Sequence, residues 1–156
     1  MKKDVSLADG TVEVKFKSIS GQEDQAGGLV WRWKDGNNYY VARANALENN
    51  ISLYHTEDGS RKTIKYVDAP VSPNAWHTLK VTFSGKHITV ALDGKTYIDL
   101  DDDHISGSGA VGVWTKADMF LAAMCCGRRR KPEPSLMTFP ASSSPMWGSC
   151  AVSMPS

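Results

Sequence analysis

The feature that most constrains the fold is a period of two in the apolar residues, repeated in short segments along the first 118 residues. Apolar and polar residues alternate in Val12–Lys17, and the same alternation runs through His77–Phe83. Successive side chains of a strand point to opposite faces, so this period is typical of a strand with one buried face. Asp93-Gly94 adds a strong signal for a two-residue hairpin turn.

Short strands at regular spacing, with turns between them and no helical period, predict an antiparallel β-sandwich in which alternate side chains fill the space between two sheets. The predicted strands are Val12–Lys17, Gly28–Trp33, Tyr39–Ala44, Ile51–His55, Arg61–Tyr66, His77–Phe83, Ile88–Leu92, Lys95–Leu100 and Gly109–Trp114. We therefore predict one all-β domain over residues 1–118, with residue 126 as the alternative limit.

The composition changes after Asp118. The last 38 residues hold five of the seven prolines, five of the six methionines and all three cysteines. From Gly127 onward the apolar density is too low for a core, so we predict disorder over residues 127–156. We interpret the change as the product of a frameshift, and a naturally divergent tail is the alternative.

The charge balance excludes two classes of partner. The net charge is +1, and residues 1–118 carry 14 Lys and Arg against 16 Asp and Glu. This balance predicts neither nucleic-acid binding nor attachment to a membrane surface, and the basic run in the tail is interpreted as a solvated segment. No apolar run reaches the roughly 18 residues of a membrane helix, and no signal-peptide core follows Met1, so we expect a cytoplasmic protein for the chain as written.

Residues 21–50 concentrate the groups that bind sugars. Carboxylates, amides, guanidinium groups, two tryptophans and two tyrosines are interleaved there. Sugar hydroxyls require paired donors and acceptors, and the C–H face of a pyranose packs on an aromatic ring. We therefore predict a carbohydrate ligand.

Period two assigns some of these residues to one surface. It places Arg32 on one face of its strand and Arg43 with Asn45 on one face of the next, so a hairpin would bring them together. Two neighbouring guanidinium groups require anions or hydroxyls between them, which Glu23, Glu48 or a ligand would supply. A solvated salt-bridge network is the alternative interpretation.

The chain resembles a known family in three segments. These are EDQAGGLVWRWKDGNNYYVARANALENN at residues 23–50, Trp76–Val81 and Gly109–Asp118. They resemble the 3-keto-disaccharide hydrolase-type domain, a concanavalin A-like jelly roll long catalogued as a domain of unknown function, whose members are typically bacterial and often exported. The resemblance covers about residues 9–118. It implies activity on 3-keto-glycosides, and the alternatives are a non-catalytic sugar-binding module or a truncated inactive homologue.

The chemistry of glycoside cleavage selects candidate site residues. Glycoside cleavage generally requires two carboxyl groups, and a 3-keto sugar also has an acidified C2 hydrogen that a general base can remove. Glu23 and Glu48 are the catalytic candidates, although loop carboxylates that cap turns are an equally good interpretation. The substrate-binding candidates are Asp24, Gln25, Arg32, Tyr39, Arg43 and Asn45.

The chain departs from the family pattern at both ends. Strands that usually precede Thr11–Lys17 are expected to be missing, and the strand that usually follows Asp118 is replaced by MFLAAMCCGRRRKPEP. An unpaired sheet edge would follow, and with it dimerisation or aggregation.

Neither a metal nor a cofactor is expected. The four histidines, at residues 55, 77, 87 and 104, have no metal-ligand spacing, and the adjacent cysteines have no zinc-site spacing. The acidic segment Asp99–His104 is a weak calcium candidate, with an acidic hairpin loop as the alternative. His77 is expected to be a structural histidine, and Trp31, Trp33, Trp76 and Trp114 are expected in the core.

Overall fold

The computed structural model describes residues 2–19, 25–116 and 121–128, and all regular structure in these ranges is β-strand. The strands are β1 Lys2–Leu7, β2 Gly10–Ser18, β3 Ala26–Asp35, β4 Asn38–Asn45, β5 Asn50–Glu57, β6 Ser60–Asp68, β7 Trp76–Ser84, β8 His87–Leu92, β9 Lys95–Asp101, β10 Gly109–Thr115 and β11 Leu121–Arg128. No helix in these ranges has the length and hydrophobicity to cross a bilayer.

The strands form two antiparallel sheets. A six-stranded sheet has the order β1-β10-β3-β4-β5-β6, and a five-stranded sheet has the order β11-β2-β7-β8-β9. Alternate residues are buried as predicted, with Val12, Val14 and Phe16 on β2 facing Leu53 and other apolar residues of the opposite sheet in one core. This architecture confirms the all-β jelly-roll prediction, because period two at these positions is what two facing sheets require.

Both ends of the sandwich are completed by strands that the alternation did not predict. β1 pairs with β10, and β11 pairs with β2 from Leu121 to Arg128. The strand therefore runs two residues past residue 126. A strand is present where we expected the last strand of the family to be lost, and it pairs with β2. The disorder predicted for residues 127–156 is not found at residues 127–128, and the rest of that segment lies outside the described residues.

A β-bulge at Arg32 interrupts the alternation of β3. Arg32 has a φ of +48°, and the register of β3 shifts there against both β4 and β10. Such bulges place two successive residues on one side of the sheet. Arg32 consequently turns inward beside Trp31, and Trp33 turns to the opposite face.

The buried guanidinium group of Arg32 joins three loops. Its nitrogens donate to the carbonyl oxygens of Ala8 at 3.2 Å and Ile105 at 3.0 Å, and to that of Gly85. These residues lie in the β1–β2, β9–β10 and β7–β8 connections, and the Arg32 side chain is 3% exposed. The prediction of Arg32 as an exposed ligand-binding residue is wrong, because the bulge reverses the face that period two assigned to it.

Removing this side chain should cost substantial stability. We expect Arg32→Ala to lower the free energy of unfolding by about 2–4 kcal/mol, since several carbonyl groups lose a charged donor. Lys34, one residue after Trp33, is an exposed donor to the carbonyl oxygen of Ser108. Lys34→Ala should change the free energy of unfolding by less than about 0.5 kcal/mol. Urea unfolding of both variants measures the difference, and equal midpoints would contradict the structural role of Arg32.

The bulge also requires glycine on the neighbouring strand. A Cβ atom at Gly109 would lie 2.4 Å from the carbonyl carbon of Arg32, whereas one at Gly36 meets no atom within 4 Å. We expect Gly109→Ala to destabilise the protein by about 2 kcal/mol or more, because backbone rather than a flexible side chain must move. Gly36→Ala should be nearly neutral, and thermal unfolding of the pair checks the prediction.

Candidate functional site

Polar side chains gather on the face of the six-stranded sheet that points away from the core, called the outer face below. On β5, Ile51 and Leu53 fill the core, so Asn50, Ser52 and Tyr54 belong to the outer face. On β4, Arg43 lies directly opposite Ser52. The alternation of two adjacent strands therefore places a guanidinium, an amide, a hydroxyl and a phenol ring side by side.

A hydrogen-bonded group, the Asn50 network, is made of Arg43, Glu48, Asn50, Ser52 and Tyr66. The Asn50 amide nitrogen donates to Glu48 Oε2 at 2.7 Å and to the Tyr66 hydroxyl at 2.8 Å. Its amide oxygen accepts from Ser52 at 3.2 Å, and Arg43 donates to Glu48 Oε2 at 3.3 Å. Asn50 is fully buried while the Glu48 side chain is 52% exposed. A buried amide thus orients a carboxylate that solvent and ligands can reach.

Two arginines flank one tyrosine beside this network. The guanidinium carbons of Arg43 and Arg61 lie 5.5 and 5.6 Å from the centre of the Tyr54 ring, and Arg61 is also 5.5 Å from the ring of Trp114. Cations at this distance are attracted to the ring faces. Tyr54 therefore holds two positive charges close together on the outer face.

An apolar patch continues the outer face toward β3 and β10. Ala26, Val30, Val41 and Trp114 are buried there, with Trp33 and Tyr39 packed partly buried against them. Trp114 is buried as predicted, but on the outer face rather than between the sheets, and the Arg32 bulge moves Trp33 across to pack partly buried against the same cluster. Trp76, also predicted in the core, is 57% exposed, and among the tryptophans that the structure describes only Trp31 lies between the sheets.

The structure brings together part of the predicted site. Arg43 and Glu48 form an ion pair at 3.3 Å, and Tyr39 lies on the same face. Asn45 is buried and its side-chain oxygen accepts from the Leu47 amide, which supports the β4–β5 turn. Gln25 is buried, with its main-chain oxygen bonded to Ser18 and Ala46. Glu23 and Asp24 lie outside the described residues.

Sequence reasoning missed half of the site. The missed residues are Asn50, Ser52, Tyr54, Arg61 and Tyr66. The signal for three of them was present, because the alternation Asn50-Ile51-Ser52-Leu53-Tyr54 places its polar members on the face opposite the apolar ones. Arg61 precedes the register shift between β5 and β6 at residues 63–65, so period two alone does not assign it.

The acidic segment at residues 99–104 divides between two surroundings. Asp99 and Asp101 flank the exposed ring of His87 at 3.3 and 2.9 Å. Asp102 instead turns inward, where it accepts from the Tyr40 hydroxyl and lies 2.9 Å from His104 Nδ1. Within the described ranges these carboxylates do not converge as a calcium cage would require, and the calcium hypothesis stays a prediction.

Burial and hydrogen bonding perturb the inward-facing groups of this segment. Burial alone raises the pKa of Asp102, but the hydrogen bonds from Tyr40 and His104 outweigh it and lower that pKa below its usual value. The pKa of Tyr40 is raised, chiefly by burial and to a smaller extent by its hydrogen bond to Asp102. The pKa of His55 is lowered, chiefly by burial and to a smaller extent by charge repulsion from His104. All three shifts favour Tyr40 and His55 as neutral groups beside an ionised Asp102.

The fold and the outer face together define the class of domain. The chain resembles a carbohydrate-binding module, CBM66 from Bacillus subtilis, with a TM-score of 0.69 and 27% identity over 77% of this chain and 74% of that one. A β-glucanase of Bacillus licheniformis shares the fold alone, with a TM-score of 0.55 and 15% identity over 75% of this chain and 54% of that one. The domain is a jelly roll of the kind found in carbohydrate-binding modules and glucanases.

The family follows from residues 2–120, which match the model of the 3-keto-alpha-glucoside-1,2-lyase-like domain. The chain belongs to this family. It is also 28% identical to a levanase of Bacillus subtilis (strain 168) over 117 residues, which are 74% of this chain and 17% of the levanase. The chain therefore corresponds to a small part of that relative.

The hydrogen bonds of the Asn50 network can be tested without a ligand. Asn50→Ala should lower the free energy of unfolding by about 1–3 kcal/mol, because the buried Ser52 hydroxyl loses its acceptor and Glu48 and Tyr66 each lose a donor. In a double-mutant cycle, Asn50→Ala and Tyr66→Phe should couple by at least about 0.5 kcal/mol. Additive effects would mean that the two side chains do not interact, and Asn50→Ala paired with Thr89→Ala on the other sheet serves as the additive control.

Proposed function

We propose that the domain binds a carbohydrate on the outer face of the six-stranded sheet, without itself cleaving it. The observation that carries the proposal is the Arg43–Glu48 pair, oriented from below by buried Asn50. A guanidinium and a carboxylate held side by side offer donors and acceptors at the spacing of neighbouring sugar hydroxyls. Because the pair is already ordered, little conformational entropy is lost when a ligand replaces water.

The neighbouring groups extend the same chemistry. Arg61 adds a second guanidinium beside Trp114, and Trp33 with Tyr39 offers partly exposed aromatic surface for sugar C–H groups. The similarity to CBM66 supports this function, because a sequence identity of 27% accompanies a TM-score of 0.69. The levanase match also supports it, because the aligned part is only 17% of that protein and fits the size of an accessory module.

Binding can be tested by calorimetric titration with soluble oligosaccharides. The panel should include fragments of levan, the polymer after which the levanase relative is named, and α-linked glucose disaccharides in native and 3-keto forms. We expect saturable binding to one of these, and Arg43→Ala or Glu48→Gln should weaken it by at least about tenfold, the equivalent of one lost charge-assisted bond.

Matched control variants locate the effect. Lys80→Ala and His87→Ala remove charged and imidazole groups of β7 and β8 in the other sheet, so they should leave sugar affinity unchanged. Binding that survives Arg43→Ala and Glu48→Gln in folded protein would place the ligand elsewhere. Absence of binding across the panel, with every variant folded, would contradict the proposal.

A lyase or hydrolase activity on 3-keto-glycosides is the second candidate, favoured by the family match over residues 2–120. In elimination, a general base removes the hydrogen at C2, which the C3 carbonyl acidifies. The C1–O bond then breaks, a C1=C2 double bond forms, and the departing alcohol takes a proton. Glu48 is exposed and oriented by Asn50 and Arg43, so it is the candidate base among the described residues, with Glu23 as its predicted partner.

The two candidates separate in one assay. The chain is incubated with a 3-keto disaccharide, and release of the free sugar is followed alongside absorbance of the enone product. The binding function predicts no turnover in either protein, with affinity for the sugar in the wild type that is weakened at least about tenfold in Glu48→Gln. Turnover in the wild type that falls at least about a hundredfold in Glu48→Gln, the scale of general-base catalysis, would instead establish the lyase.

A further inference from the structure

We propose that His55, Asp102 and His104 form a binding site for one divalent transition-metal ion, with zinc as the best match to the donors. The site lies where β5 ends against the β9–β10 connection. It is separate from the Asn50 network and independent of the proposed function.

The three side chains present one ligand atom each within 4.8 Å of one another. Two imidazole nitrogens and a carboxylate oxygen are a donor set that zinc and neighbouring transition metals favour, whereas calcium prefers oxygen alone. The Asp102 side chain is 7% exposed and that of His104 is 48% exposed. The site is therefore buried on the side of Asp102 and open to an entering ion on the side of His104.

Asp102 is already oriented as a metal ligand would be. The Tyr40 hydroxyl donates to its Oδ1, and the same hydroxyl accepts from the Ile105 amide at 3.0 Å. Oδ2 faces the imidazole of His104 at 2.9 Å. The hydrogen bond from Tyr40 fixes one carboxylate oxygen and leaves the other facing the site. Hydrogen bonds of this kind orient metal ligands and raise their affinity for the ion.

His55 is the independent indication that the site takes a ligand. Its side chain is buried at 3% exposure, yet neither ring nitrogen has a hydrogen-bond partner among the described residues. Buried polar atoms left without partners are costly, so nearly all of them are satisfied in folded proteins. The ring of His104 stacks on His55 with 4.0 Å between centroids, which covers its face but satisfies neither nitrogen. A metal bound in the ring plane would satisfy one.

Binding requires a local rearrangement of His104. The two rings are stacked and inclined by only 16°, so one ion cannot lie in the planes of both rings at once. Zinc–nitrogen bonds of about 2.0–2.1 Å in a tetrahedral site bring ligand atoms to within about 3.4 Å of each other. His104 is half-exposed on a loop and turns more easily than buried His55 or Asp102. Three protein ligands leave the fourth position to water.

The test is a zinc titration of the full chain with its cysteines blocked by N-ethylmaleimide, since thiolates also bind zinc. We expect one zinc per chain, with a raised unfolding midpoint at saturating metal. His104→Ala, chosen because this side chain is half-exposed, should weaken zinc affinity by at least about tenfold. His87→Ala is the matched control, because His87 is also an exposed imidazole beside two aspartates, and it should leave the affinity unchanged.

A second measurement does not depend on any variant. Nitrogen-15 spectra of the imidazoles should show a large metal-induced shift at one His55 ring nitrogen in the wild type. No stoichiometric zinc binding, equal affinity in His104→Ala, loss of affinity in His87→Ala, or an unshifted His55 would each overturn the proposal.

Discussion

The arrangement of the loops depends on the hydrogen bonds of the buried Arg32 guanidinium group. It joins the β1–β2, β7–β8 and β9–β10 connections through their carbonyl oxygens. The bulge that carries it also moves Trp33 to the outer face. One backbone irregularity thus shapes the aromatic part of the candidate sugar site. It also fixes Ile105, next to the segment that holds Asp102 and His104.

Two different principles build the two candidate sites. On the outer face, ordinary strand alternation sets Arg43, Asn50 and Ser52 side by side, and a buried amide orders the exposed carboxylate. At the β9–β10 connection, by contrast, an irregular segment brings Asp102 and His104 to His55, almost fifty residues earlier in the chain. Strand geometry produces a broad surface suited to a saccharide, and loop geometry produces a small pocket of ligand atoms suited to an ion.

The fold was predictable because period two is a direct consequence of strand geometry, and β2 and β7 follow it at nearly every position. Arg43 was predictable for the same reason, whereas Glu48, in the turn between β4 and β5, was predicted as a carboxylate partner for the arginines and for its chemistry. Arg32 and Trp33 were not, because a bulge inverts the assignment of faces and leaves no composition signal beyond Gly109 opposite it. His55 with His104 was equally hidden, since sequence spacing shows metal ligands only when they share a local element. β1 and β11 depend on pairing partners rather than on their own pattern.

Backbone amide shifts recorded during an oligosaccharide titration would show whether a saccharide binds on the outer face of the six-stranded sheet. Binding there predicts that the largest changes fall on Arg43, Asn50–Tyr54 and Tyr66, while β7 and β8 remain unshifted. Changes concentrated on β7, β8 and β9, or shifts spread evenly over both sheets at saturation, would rule out a saccharide site on the outer face.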